Sequence, residues 1–326
     1  MPRRLGVLGT FVWDTIWHPG RGDERPLEQW GGIAYSMAAA SAACPAGWEI
    51  EPFAKVGEDL LTEALRFVDD LANVGSREGL RRVAQPNNRV ELRYFEPSER
   101  TERLTGGVVP WEAEELLEAI GELDALYVNM VSGLELDLEA ATTLAARAAI
   151  PSYIDLHSLF LGPPGDGPRE PRPLPEWENW ASCFDVVQLN EQELALTGVG
   201  QPEELLRLEA FPSLRPAGIM ITRGGRGATA VLRRGQGGAL GWRVGSGGGR
   251  ELMQLDVPTV GGPQRGDPTG CGDVWGAVLF AGLLEGRSPP ESLRRAHVAA
   301  AAKLRAAGID ELPAEIARAL ATHAEE

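Results

Sequence analysis

An α/β fold, with a mostly parallel central sheet between two layers of helices, is predicted by three observations. Short apolar runs recur along the 326 residues, helical patterns rich in Ala, Leu and Glu lie between many of them, and turn residues bound both. The strand-like runs are Leu5–Leu8, Glu51–Val56, Ala125–Asn129, Ser152–Leu156, Val186–Asn190, Gly218–Thr222 and Ala228–Leu232. The helical patterns are Ile33–Ala43, Asp59–Leu71, Trp111–Ile120, Leu136–Ala149 and Gln201–Ala210, and Val274–Leu284, Pro290–Ala307 and Ala314–His323 complete the C-terminal third. A strand, a helix and a second strand close into a right-handed crossover, which sets the strands parallel and covers both sheet faces. No repeat of fixed period occurs, which argues against a solenoid.

Two stretches break this rhythm. Phe11–Trp30 is polar and aromatic with Pro and Gly, and Asn87–Thr105 contains Arg89-Val-Glu-Leu-Arg-Tyr-Phe95, which alternates like a half-buried strand. Together they are expected to form a small separate sheet, a flap over a pocket. The chain reads as one domain, 1–326, with lid segments at about 11–30 and 87–105 inserted in it. Pro163–Pro175 reads as a surface loop, and the Gly-rich Gly235–Gly249 as a mobile one.

Composition narrows the function. Apolar residues make up 43% and charged residues 24%, which argues against disorder. The net charge of -16 disfavours nucleic-acid and anionic-membrane partners, which call for a concentrated basic face. A local patch of donors can still meet a phosphate. The basic residues are nearly all Arg, with Lys only at Lys55 and Lys303. Cys44, Cys183 and Cys271 are widely spaced, so neither a disulfide framework nor a zinc site is expected. No apolar run approaches the roughly 18–20 residues of a membrane span. The start lacks the apolar stretch of a signal peptide and runs into a first strand, so the cytoplasm is the expected compartment.

The chemistry concentrates in Gly266-Asp-Pro-Thr-Gly-Cys-Gly-Asp273, which opens directly into the apolar helix Val274–Leu284. Backbone amides of Gly270, Cys271 and Gly272 would point outward from a helix N-terminus, where unpaired donors and the dipole attract anions. The carboxylate of Asp273 would repel a phosphate. It is better suited to accepting a proton from a substrate hydroxyl. Capping of the helix by Asp267 and Asp273 is the plain alternative.

The string Asp267-Pro-Thr-Gly-Cys-Gly-Asp273 closely resembles the C-terminal signature of the PfkB (ribokinase-like) carbohydrate kinase family, usually Asp-Thr-x-Gly-Ala-Gly-Asp. Other segments resemble the family pattern in order: Leu8-Gly-Thr-Phe-Val-Trp-Asp14, Trp30-Gly-Gly-Ile-Ala-Tyr-Ser36, Phe53-Ala-Lys-Val-Gly-Glu-Asp59, Asn190-Glu-Gln-Glu193 and Ile221-Thr-Arg-Gly-Gly-Arg-Gly227. The resemblance implies a three-layer α/β/α sandwich with a small β-sheet lid, acting as an ATP- and Mg²⁺-dependent kinase on a hydroxyl of a sugar or sugar-like molecule. Asp273 would be the general base, and the amides of Gly270, Cys271 and Gly272 would hold the phosphoryl oxygens. Thr222, Gly224 and Gly227, with Asp267 and Thr269, would line the nucleotide site. Asn190 and Glu193 would act on Mg²⁺, Glu193 through water. Asp14, Gly31, Gly32, Ser36 and Asn129 would contact the acceptor. A monovalent cation and a homodimer joined through the lid are further expectations of the resemblance.

Departures bear on the acceptor. Ile33 and Ser36 stand where ribokinase proper has Lys and Asn, and Val12 where it has Asn, so ribose itself is disfavoured. Trp13, Trp17, Tyr35 and Met37 either line a bulkier pocket or simply pack. Asp155 and His157, with Asn129, follow strand ends, where α/β proteins place ligand contacts. Arg223 and Arg226 could brace phosphates; Arg89 and Arg93 read as exposed strand residues. Phosphoryl transfer asks for alignment and charge neutralisation rather than covalent help. No G-x4-G-K-[ST] string occurs, which disfavours a P-loop enzyme. A nucleoside kinase and a non-catalytic ligand-binding protein remain the alternatives.

Overall fold

Alternation of strand and helix produces the expected layers. The computed structural model describes residues 1–18, 25–96, 99–206, 215–233, 251–261, 266–306 and 308–323. In chain order these form β1 (Arg3–Leu8), β2 (Phe11–Trp17), β3 (Leu27–Gly32), α1 (Ile33–Ala43), β4 (Trp48–Gly57), α2 (Leu61–Asp69), β5 (Leu80–Val83), β6 (Arg89–Glu96), β7 (Glu99–Thr105), α3 (Ala113–Ile120), β8 (Ala125–Asn129), α4 (Leu138–Arg147) and β9 (Ser152–Asp155). There follow α5 (Trp177–Ser182), β10 (Val186–Asn190), α6 (Glu191–Leu196), α7 (Pro202–Leu205), β11 (Gly218–Thr222), β12 (Ala228–Arg233), β13 (Leu252–Val257), α8 (Cys271–Leu284), α9 (Pro289–Arg305) and α10 (Leu312–Thr322).

Nine strands form one sheet in the order β13-β12-β11-β10-β9-β8-β1-β4-β5. Every neighbouring pair from β11 to β5 is parallel, and β12 and β13 add antiparallel pairs at one edge. Successive strand residues point to opposite faces. Tyr127, Tyr153, Val186 and Met220 therefore pack with α1, α2, α8, α9 and α10, while Leu126, Val128, Ile154, Val187 and Ile219 pack with α3, α4 and α5.

The two irregular stretches pair into a second sheet, β3-β2-β6-β7, as the alternation of Arg89–Phe95 predicts. Val12, Ile16, Val90, Leu92, Tyr94 and Leu104 form its buried face. The loop Pro163–Pro175 is largely exposed, but its Arg169 is buried and donates to Gly162 O (2.8 Å) and Glu102 Oε1 (3.2 Å), tying the loop to β7. Two edge strands fall outside the predicted runs: β5 reads Leu-Arg-Arg-Val, and β13 reads Leu-Met-Gln-Leu-Asp-Val and is only half-buried. Gly235–Gly249 and the end of Gln201–Ala210 lie outside the described residues. Among the described residues no helix is long and apolar enough to cross a membrane.

Helix α8 positions the site. Its residues Val274–Leu283 are buried on all sides, between α1, α9 and the sheet. A Cβ at Gly276 would overlap Gln188 Oε1 and lie 2.7 Å from the Tyr127 hydroxyl, so glycine lets the helix sit low on β8 and β10. It begins at Cys271, three residues before the predicted Val274, because Gly270 takes φ +78° as its N-cap. That left-handed turn suits a residue without Cβ.

Candidate active site

Parallel strands bring their carboxyl ends to one edge. Asn129 ends β8 beside Asp155 of β9, and Asn190 ends β10 beside Thr222 of β11. The N-terminus of α8 sits over this edge. Asn129 Nδ2 donates to Asp273 Oδ1 at 2.6 Å and to Ser36 Oγ at 2.9 Å. Asn129 Oδ1 is buried with no partner among the described residues. Gln188 Nε2 donates to Asp155 Oδ2 (2.7 Å) and Gly272 O (3.2 Å), while its Oε1 accepts from the Tyr153 hydroxyl (2.6 Å). The helix start is thereby bolted to β8 and β10.

The turn itself is tightly wound. Asp267 Oδ1 accepts from Thr269 N (2.9 Å) and Thr269 Oγ1 (2.7 Å). The Cys271 amide donates to Pro268 O at 3.1 Å, so one of the three expected outward donors is engaged within the turn. Among the described residues the Gly270 and Gly272 amides donate to no protein atom. The Cys271 side chain packs toward Ala300 O, and burial pushes its thiol up to about 12. It is a packing residue.

Asp14 enters from β2, and a Cβ on Gly31 of β3 would overlap its carboxylate. Gly32 caps α1 at φ +59°, with Thr10 O 2.6 Å from where a Cβ would stand. The small sheet also reaches the turn directly. Arg100 donates to the Tyr94 hydroxyl (2.8 Å), which leaves that hydroxyl to donate to Thr269 Oγ1 (2.8 Å). Sequence reasoning missed Tyr94, Arg100 and Gln188. Arg100 sits in a charged stretch, but it shares the β7 face of buried Leu104 through period-two spacing, a signal that could have found it.

Expected neighbours of the nucleotide are placed less uniformly. Thr222 is half-buried at the sheet edge, Gly224 is exposed, and Gly227 is buried where a Cβ would overlap Val257 O. Arg223 pairs with Asp256 at 3.1 Å, and Arg226 pairs with Glu191. Trp13 packs edge-on to Trp30 (5.2 Å), Trp17 lies under Arg93 (5.1 Å), and Met37 is in the helix-side core. Arg89 pairs with Asp59 at the surface.

Charge is concentrated here. Burial raises the Asp14 carboxyl well above its ordinary value, and the nearby Arg100 only partly offsets it. Burial also raises Asp155 and Asp273; for Asp273 the Asn129 bond and the charges of His157 and Arg100 pull the other way. Burial alone would depress His157, but the bond to Glu193 (3.1 Å) and the charges of Glu193, Asp155 and Glu102 push it up to about 9.

Glu193 is buried, and its oxygens accept from Asn190 N (2.8 Å), Asn190 Nδ2 (2.6 Å) and His157 Nδ1. Such a saturated carboxylate suits contact with a metal through water rather than direct ligation. Among the described residues no group of three or more His, Cys, Asp or Glu side chains is placed to hold a metal ion by itself.

The family model described as pfkB family carbohydrate kinase matches residues 109–315, more than half of the chain. No curated protein matches the sequence. Ribokinase from Arabidopsis thaliana, solved with ribose and ATP, has a TM-score of 0.68 at 19% identity, covering 98% of each chain. Nucleoside kinase from Burkholderia thailandensis, solved with inosine, has a TM-score of 0.68 at 18% identity, again over 98% of each chain. A pyrophosphate-dependent kinase of the ribokinase family, solved with a pyrophosphate analogue and myo-inositol, has a TM-score of 0.67 at 15% identity, covering 93% of this chain and 96% of the other. At such identities the likeness is one of fold, here the ribokinase-like fold. The family match runs from before β8 into α10 and takes in the turn, Asp273 and the strand ends beneath it: the chain belongs to the pfkB family of carbohydrate kinases.

Proposed function

We propose that the protein transfers the γ-phosphoryl group of ATP to a hydroxyl of an uncharged sugar or sugar-like molecule, with Asp273 as general base. The observation that carries this reading is the Asp273 carboxylate, held by Asn129 beside the unengaged amides of Gly270 and Gly272 at the start of a buried helix. The acceptor hydroxyl gives its proton to Asp273 as its oxygen bonds to phosphorus, and the bond to the leaving ADP oxygen breaks. The two amides, with the helix dipole, stabilise charge on the equatorial oxygens. Asn190 and Glu193 would engage Mg²⁺ through water, and that ion would supply charge neutralisation at the phosphates. Thr222 and Gly224 flank the nucleotide, and Gly227 fixes the bend of their turn by packing on β13.

Asp14, Ser36 and Asn129 face the acceptor, with Gly31 making room for Asp14. The orphan Asn129 Oδ1 is an acceptor for a substrate hydroxyl, since a buried carbonyl left unpaired costs free energy. Asp14, Asp155, Glu193 and Asp273 crowd one end of the site, which favours a neutral acceptor over an anionic one. Ile33 and Val12 are fully buried in apolar packing, which disfavours ribose at the positions where ribokinase proper is polar.

Release of ADP from ATP should be measured over a panel of sugars, inositols and nucleosides, with pyrophosphate as a second donor. One acceptor is expected to support turnover, and Asp273→Asn should lower kcat by about 10²–10⁴-fold, the usual scale for a positioned base. Wild-type turnover by the variant would remove Asp273 from the chemistry. Tight calorimetric binding without any turnover would instead favour a binding protein.

A further inference from the structure

The basic residues of this chain divide by place. Most of the described arginines are exposed or half-buried, Arg169 and Arg233 being buried, whereas both lysines, Lys55 and Lys303, are buried. Lys55 bridges Glu115 and Pro110 O at a distance from the site. Lys303, in the last turn of α9 and 5% exposed, reaches the turn that carries the unengaged amides. Its Nζ donates to Asp267 O at 2.9 Å, lies 3.4 Å from Asp267 Oδ2, and stands 5.4 Å over the ring of Tyr35. Each contact bears on the turn. Asp267 fixes Thr269 through two hydrogen bonds. Tyr35, anchored by Gln29 (2.8 Å), supports Gly270 so closely that a Cβ there would be 2.5 Å from its ring. A Cβ on Gly266 would overlap Leu304 O, so the turn also leans on the backbone of α9.

Carbonyl, carboxylate and ring face are what a small monovalent cation would seek, and the Nζ already occupies them. A lysine ammonium is a compact point charge that can sit among oxygens converging from different directions, which a planar guanidinium cannot. We propose that Lys303 is a tethered monovalent cation: a positioning residue that locks the Asp267–Gly270 turn, so that the Gly270 and Gly272 amides stay aimed at the transferring phosphoryl group without any added alkali cation. The inference rests on the phosphotransfer reading. It also means that the Asp267 oxygens, taken up by Lys303, do not fit the monovalent ion that the family resemblance leads one to expect.

A neighbouring cleft of about 260 Å³, lined by His18, Gln29, Tyr35, Asp267, Lys303 and Gly308 among others, gives a route for chemical rescue. Shortening Lys303 leaves the half-buried Asp267 without the ammonium, with only His18 Nε2 at 3.9 Å as a basic neighbour among the described residues, and within reach of ions from that cleft. Wild type should turn over the panel acceptor equally in potassium, ammonium or tetramethylammonium chloride at one ionic strength. Lys303→Met should lose about 100-fold in kcat, the scale of a displacement of about 1 Å at a reacting centre, with little change in acceptor KM. Potassium or ammonium should restore much of that loss, and tetramethylammonium, too large for the gap, should not. The same small ions should raise the melting temperature of Lys303→Met and leave that of wild type unchanged, a readout independent of activity.

A wild type that needs potassium would overturn the proposal, and this test survives even if Lys303→Met fails to fold. A folded variant with undiminished kcat, or with a loss that no small cation relieves, would overturn it too. If wild type transfers phosphate to nothing on the panel, the fault lies with the phosphotransfer reading instead. The melting shift then still decides whether the turn holds a replaceable cation.

Discussion

Asn129 shows how one amide can set the carboxylate proposed as the base. It is fully buried, its Nδ2 is shared between Ser36 Oγ and Asp273 Oδ1, and its Oδ1 is unpaired. An amide N–H beside a carboxylate favours the ionised form, and this bond is the largest influence holding the Asp273 carboxyl down against burial. Removing it has a definite sign. Asn129→Leu keeps side-chain size, loses the donor, and should raise the Asp273 pKa, so the acid limb of kcat/KM against pH moves to higher pH. Because that limb reports the free enzyme, it can be read without saturating the acceptor. An acid limb that stays in place while activity falls would assign Asn129 to substrate contact alone.

At the scale of elements, the turn before α8 and the small sheet form one unit through the chain Arg100, Tyr94, Thr269, Asp267. Each hydroxyl accepts from one member and donates to the next, so the bonds polarise one another. Tyr94→Phe breaks the middle link while keeping the ring. It should cost about 2–3 kcal/mol of stability, because the lost hydroxyl both accepts from the charged Arg100 and donates to Thr269, and raise the acceptor KM more than the nucleotide KM. Chemical denaturation and initial-rate kinetics measure both. Equal KM values in variant and wild type would show that this link does not govern the acceptor side. The turn itself was legible in the sequence because its chemistry is local: glycines where the chain must bend, and an aspartate at the first helical turn. The ends of β8, β10 and β11 were legible because apolar runs mark buried parallel strands. Arg100 and Tyr94 were not, because β2 pairs in parallel with β6 across a long stretch of chain, and nothing in Arg100-Thr-Glu-Arg states which surface it will meet. The edge strands β5 and β13 escaped for a related reason: pairing on one side leaves them half-exposed, with Arg81 and Arg82 interrupting β5 and Gln254 and Asp256 interrupting β13.

For the whole molecule, a parallel sheet that gathers its polar strand ends at one edge makes stability depend on pH in a way that net charge alone does not predict. Asp14, Asp155 and Asp273 are raised above 3.8, so the fold holds more protons than the unfolded chain, and their contribution declines as pH rises from that value. Asp59, Asp256 and Asp267 are lowered and act with the opposite sign, giving stability that is lost as pH falls through their depressed values. Near neutrality His157 is raised from 6.5 to about 9 by Glu193 and its acidic neighbours, while burial lowers His297, whose contribution is lost only as pH falls below 6.5. The His157 contribution is fully present below pH 6.5 and is lost as pH rises through about 9. The melting temperature, measured with a chelator present, should therefore fall between those limits. His157→Gln keeps a hydrogen-bond donor for Glu193 but cannot titrate, so it should flatten the fall while lowering stability at pH 6. If the variant keeps the wild-type slope, the proton belongs to another group, and the imidazole beside Glu193 is neutral in the fold.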